Sequence, residues 1–246
     1  MNSRFPRRPP RRPPWLLALA VLATLAGGAS CRARDQASAT RSTPPPAAAA
    51  APAPEARPAS SRPKIVILGD SLTAGLGLPQ DEAYPALLQQ RLDGAGFRFE
   101  VVNAGVSGDT SAGGLSRLDW SLDGDVRILV VALGGNDGLR GLPPEEMKKN
   151  LGEIIRRARV RHIAVLLTGM ESPTNMGPDY QRQFHDVFPA LAQEDRTAFL
   201  PFLLQDVAGR QELNQHDGIH PTAEGARIVA DHVWRVLEPM VRTASQ

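Results

Sequence analysis

From residue 64 onward, short aliphatic runs alternate with stretches in which apolar side chains recur every three to four positions. The runs fall at 64–68, 97–102, 126–133, 162–167 and 197–201. In one of them, Ile128, Leu129, Val130, Val131, Ala132 and Leu133 follow one another without polar alternation. Such a run predicts a strand covered on both faces, as in a parallel sheet. Between the runs, Met147, Leu151, Ile154, Ile155 and Ala158 form one helical stripe. Ile228, Val229, Val233, Val236, Leu237 and Met240 form another, and 84–92 and 179–193 are further helix candidates. The alternation predicts an α/β fold of three layers around a central parallel sheet of about five strands.

The first quarter of the chain follows no such pattern. Arg4, Arg7, Arg8, Arg11 and Arg12 precede an apolar stretch at 15–25 that is too short for a permanent membrane span. Small residues follow, ending in Cys31, the single cysteine. Residues 1–31 therefore read as an export signal to the periplasm or cell envelope. Cys31 is either the lipidated mature N-terminus of a lipoprotein or incidental to cleavage near Ala29. Residues 32–62 are rich in Ala and Pro and hold no Val, Ile, Leu, Met, Phe, Trp or Tyr. They have nothing to bury against their ordering entropy, which predicts a disordered tether ahead of one domain at 63–243.

Charge divides at the same place. Residues 1–62 carry 10 Arg against two acids, and the remainder carries 18 Lys and Arg against 24 Asp and Glu. A folded part with net negative charge argues against nucleic acid as partner. One cysteine excludes an intrachain disulfide and a thiol nucleophile in the folded part.

Candidate chemistry collects just beyond the strand runs, where open α/β sheets bind ligands. Ser71 follows the first run within Gly69, Asp70, Ser71 and Leu72. Alone it reads equally well as part of a helix cap. Far along the chain, Asp217 and His220 stand three residues apart, ahead of Pro221. A serine hydroxyl becomes a nucleophile only when a base takes its proton, and the base needs a partner to fix its tautomer. Ser71, His220 and Asp217 supply one residue for each role. Gly108 and Asn136, in the turns after the second and third runs, can donate with the Ser71 N–H to a developing oxyanion. Taken singly, each is an ordinary turn residue. The remaining histidines (His162, His185, His216 and His232) read as ordinary.

A metal-dependent phosphoesterase built from Asp70, Asp109, Asp137, Asp217, His216 and His220 is a rival reading. No clustered His-rich signature supports it, and Asp70 and Asp137 fit better as pins for the two turns. No metal or cofactor is expected. A non-catalytic binding module on the same fold is a second rival.

Gly69-Asp70-Ser71-Leu72, Gly108, Gly134 with Asn136 and Asp137, and Asp217 with His220 resemble the four sequence blocks of the SGNH (GDSL-type) hydrolases. The strings at 103–111 and 134–141 are similar to the bacterial arylesterase, thioesterase and lysophospholipase subgroup. The resemblance implies a flavodoxin-like sheet, a Ser71, His220 and Asp217 triad, and oxyanion donors at Ser71, Gly108 and Asn136. The substrate is then an acyl ester or thioester, with carbohydrate O-deacetylation as the alternative within the family. In that subgroup the segment matching 137–142 borders the acyl chain, so Leu139 and Leu142 are candidate apolar contacts. Met170 and Met176 join them, with a place in the core as the alternative for each. The stretch 170–180 is expected to set leaving-group or acyl preference. A monomer is expected.

Overall fold

The computed structural model describes residues 62–246. The expected export signal, Cys31 and all but the last residue of the expected tether lie outside the described residues. Five strands are present among the described residues: β1 (Lys64–Gly69), β2 (Glu100–Gly105), β3 (Val126–Ala132), β4 (Ala164–Thr168) and β5 (Ala198–Leu200). All pair in parallel, in the order β2-β1-β3-β4-β5. Eight α-helices accompany them: α1 (Ser71–Ala74), α2 (Tyr84–Gly94), α3 (Ser111–Ser116), α4 (Leu118–Ser121), α5 (Gly135–Leu139), α6 (Pro144–Val160), α7 (Pro178–Asp195) and α8 (Ala223–Ala244). Helix α2 packs on α8, while α6 packs on α3 and α7, which makes the helix layers of a three-layer α/β domain.

The middle of the sheet is buried because its inner strands are apolar on both faces. Ile65, Val66, Ile67 and Leu68 of β1 and Ile128 to Val131 of β3 are all fully buried. Truncating any of these larger side chains to Ala costs about 2–5 kcal/mol. Helix α6 carries Pro144 in its first turn with Glu145 and Glu146, and Arg157 and Arg159 in its last. This distribution suits both the helix start and the macrodipole. Its stripe of Met147, Leu151, Ile154, Ile155 and Ala158 is buried in full, as periodicity predicts.

Three expectations shift. The second strand lies at Glu100–Gly105 rather than 97–102, because pairing with β1 sets its register: Lys64 faces Glu100 and Gly69 faces Gly105. The fourth begins at Ala164, since His162 (φ 58°) is spent in the left-handed turn that ends α6. On α8 the buried ladder is Val229, Val233, Leu237 and Val241, while Ile228, Val236 and Met240 flank the core at its margin.

The chain leaves β1 to one side to form β2 and then crosses back over β1 to form β3. The carboxyl ends of β1 and β3 therefore diverge at a switch point, where such sheets open a crevice. Ser71 follows one strand and Asn136 the other.

Candidate active site

Ser71 owes its position to a tight turn. Asp70 caps α1 by accepting a 3.0 Å bond from the Leu72 N–H, and Gly75 closes the helix in the left-handed conformation at φ 75°. A side chain at position 69 would put its Cβ 2.0 Å from Thr73 Oγ1 and 3.0 Å from the Ala132 carbonyl, so only glycine fits. At the start of α1, the Ser71 N–H has no intrahelical acceptor and remains free to donate.

His220 reaches the serine from a loop ahead of α8. Its Nε2 lies 2.8 Å from Ser71 Oγ and its Nδ1 lies 2.6 Å from Asp217 Oδ2. The other carboxylate oxygen of Asp217 accepts from the Ile219 N–H at 2.9 Å and the His220 N–H at 3.0 Å. The hydrogen bond from His220, helped by these two backbone donors, pulls the Asp217 carboxyl down to about 2. Gln215 holds the loop to the serine side: its Nε2 donates to the carbonyls of Leu76 (2.8 Å) and Pro221 (2.9 Å).

The loops after β2 and β3 are pinned by buried polar contacts. Asp137 accepts from Ser111 N at 2.8 Å and from Ser111 Oγ at 2.6 Å, which ties the third-strand loop to α3. Asn136 Nδ2 donates to Asp70 Oδ2 at 3.2 Å, which leaves its second N–H available. Burial pushes the Asp70 carboxyl up to about 6, against the opposing pull of the hydrogen bonds from Leu72 and Asn136. Gly108 sits at φ 85°, and its carbonyl accepts from Arg140 Nη2 at 2.7 Å. Asp70 and Asp137 thus pin the turns as expected.

An open cleft of about 540 Å³ runs beside Ser71. Its walls include Ser71, Asn136 and His220, with Leu139, Met170, Phe202, Leu204 and Ile219 as the apolar side. Leu139 and Met170 line this cleft, and Met170, at 7% exposure, also belongs to the buried core. Leu142 and Met176 do not line this cleft. The Leu142 carbonyl instead accepts from Tyr180 Oη at 2.8 Å, and the Met176 sulfur packs towards Gly141. Gly108 stands outside the lining as well, on the neighbouring loop.

The arrangement can move a proton from Ser71 to His220 and hold the resulting imidazolium against an ionised Asp217. The acids invoked for a metal site are otherwise engaged: Asp109 pairs with Arg117, Asp137 with Ser111 and Asp217 with His220. Among the described residues no three His, Cys, Asp or Glu side chains converge as metal ligands.

A family model for GDSL-like lipases and acylhydrolases matches residues 67–228, which spans all four motif segments. The chain belongs to this family. Esterase TesA of Pseudomonas aeruginosa is 43% identical over 178 residues, covering 72% of this chain and 89% of TesA. Thioesterase 1/protease 1/lysophospholipase L1 of Escherichia coli K12 is 37% identical over 184 residues, covering 74% and 87% of the two chains. A crystal structure of TesA superposes with a TM-score of 0.70 at 43% identity, over 72% of this chain and 99% of that one. The protein is thus an SGNH ester hydrolase, of a family of esterases that act on small-molecule acyl esters.

In this GDSL hydrolase two organising residues, Arg117 and Gln215, escaped the sequence reading. Arg117 donates through Nε to Asp109 (2.6 Å), through Nη1 to the Ala104 carbonyl and through Nη2 to the Gly69 carbonyl, both at 2.8 Å. It thereby joins the ends of β1 and β2 to the Gly108 loop. The available signal was a lone arginine between the apolar Leu115 and Leu118. Gln215 carried no signal at all.

Proposed function

We propose that the protein is an exported serine hydrolase that cleaves acyl esters or thioesters through an acyl-enzyme on Ser71. The carrying observation is the continuous chain from Ser71 Oγ through His220 to Asp217, at 2.8 and 2.6 Å. His220 Nε2 takes the hydroxyl proton as Ser71 Oγ bonds to the acyl carbon. The carbonyl oxygen becomes an oxyanion that draws on the N–H groups of Ser71 and Gly108 and the Asn136 amide. Collapse breaks the bond to the leaving oxygen or sulfur, which takes the proton from His220. A water then repeats the sequence, releasing the acid and restoring Ser71.

The apolar wall of the cleft, from Leu139 to Ile219, supports a medium or long acyl chain as the acyl part. The names of the relatives support the same range: esterase, thioesterase and lysophospholipase. Residues 1–31 support export, with Cys31 as a lipid anchor and 32–62 as a spacer from the membrane.

The test is a substrate panel of acetyl and long-chain p-nitrophenyl esters, acyl-CoA and lysophospholipid, paired with labelling by a p-nitrophenyl alkylphosphonate. One phosphonyl group on Ser71, with turnover rising with acyl length, is expected. Labelling elsewhere, or inertness across the panel, would overturn the reading. Activity confined to acetyl esters would assign the cleft to O-deacetylation instead.

A further inference from the structure

The cleft beside Ser71 contains no lysine or arginine. Its charged side chains are Asp70, buried beneath the turn, and Glu171, which opens to solvent. Glu171 makes a polar wall with Thr174 and Asn175, while the Ser172 hydroxyl between them is buried; Leu139, Phe202, Leu204 and Ile219 supply the apolar lining. The Glu171 side chain is 43% exposed and is held from α7 by His185, whose Nδ1 lies 2.7 Å from Glu171 Oε1. The carboxylate is therefore accessible to a bound molecule.

An acyl chain lowers its free energy against the apolar wall. The polar wall is then left to the alcohol or thiol portion. On this basis we infer that Glu171 is a specificity-determining residue, which favours substrates with a cationic leaving group and disfavours polyanionic ones. The inference rests on the ester-hydrolase reading above and names the leaving-group class at that same site. A carboxylate at a partly desolvated wall attracts a cation, and no lysine or arginine lines the cleft to offset its repulsion of phosphates. The effect is electrostatic, so it weakens as salt rises.

The experiment uses the purified protein and two matched pairs sharing one octanoyl chain. One pair is octanoylcholine and its uncharged isostere, the 3,3-dimethylbutyl ester. The other is octanoyl-CoA and the S-octanoyl ester of N-acetylcysteamine, which has the same thiol end without phosphates. At low ionic strength kcat/KM is expected to favour the choline ester over its isostere by about tenfold, and the short thioester over the CoA ester at least as strongly. Both ratios should shrink in high salt. Glu171→Gln should bring the choline ratio to about one, and Glu171→Lys should shift the thioester ratio towards CoA.

His185→Ala separates charge from loop structure. It removes the tie to α7 but keeps the carboxylate, so both preferences should persist. Ratios near one in the unaltered protein, or an unchanged choline ratio in Glu171→Gln, would overturn the inference while leaving the hydrolase reading intact. Loss of the preferences in His185→Ala as well as Glu171→Gln would overturn it in favour of a purely structural role. Failure of all four substrates to turn over would take down the hydrolase reading, and the inference with it.

Discussion

His220 Nε2 lies within 2.8 Å of Ser71 Oγ although 149 residues separate the two in the chain. The imidazole is oriented by Asp217, whose carboxyl is drawn down to about 2 and so stays ionised through the mildly acid range. Substituting Ser71→Ala should lower kcat/KM for p-nitrophenyl esters by about 10⁴-fold or more with the fold retained. Asp217→Asn should cost about 10²–10⁴-fold by loosening the tautomer. Ester kinetics alongside far-UV circular dichroism check both. A Ser71→Ala protein with unaltered turnover would remove the proposed mechanism.

Asp70 makes a distinct pH signature. Its folded value, about 6, stands above the ordinary 3.8 because burial disfavours the charged form. The stability it contributes is fully present below pH ~4 and is lost as pH rises through about 6, on the order of 3 kcal/mol in all. Asp70→Asn should remove this component. Urea unfolding at intervals from pH 4 to 8 would show the wild-type curve declining relative to that of the variant. Parallel curves would contradict the burial argument. Activity should also fall, because the Asn136 amide loses its carboxylate acceptor.

Arg117 should be needed for both stability and rate. Removing it takes a donor from the Ala104 and Gly69 carbonyls and from Asp109, although the Gly69 carbonyl keeps the Val106 N–H at 3.0 Å. The cost for Arg117→Ala should be about 3–5 kcal/mol, read as a lower urea midpoint. Arg117→Lys should recover little of it, since one ammonium cannot reproduce the planar three-way contact. Full recovery by lysine would mean that charge alone matters.

The apolar wall predicts how acyl length is read. Met170→Ala and Leu139→Ala should reduce kcat/KM for decanoyl esters more than for butanoyl esters, by roughly tenfold per truncated side chain. A chain-length series on each variant provides the check. Equal losses at every length would place these residues outside the acyl path.

The proposed lipid anchor at Cys31 is open to a direct measurement. Cys31→Ser should abolish incorporation of labelled fatty acid and move the protein from the membrane fraction to the soluble periplasmic fraction. Unchanged fractionation would favour cleavage near Ala29 with Cys31 incidental.

Much of this protein was legible in its sequence, because strands and helices announce themselves through local periodicity. The buried runs of β1 and β3 and the full stripe of α6 are legible there, as is the position of Ser71 and Asn136 just beyond the carboxyl ends of their strands. What periodicity could not decide was register and approach. The second strand slid three residues to satisfy Gly69 opposite Gly105. The core ladder of α8 ran through Val241 rather than Met240, and Leu142 and Met176 turned away from the cleft. The ties of Arg117 and Gln215 were invisible, since each joins carbonyls on segments remote in sequence. Side-chain type and spacing act over a few residues, and they determined the elements and the chemistry on offer. Pairing between distant strands and hydrogen bonds between distant loops decided which of those groups meet, because only packing sets distances across the fold.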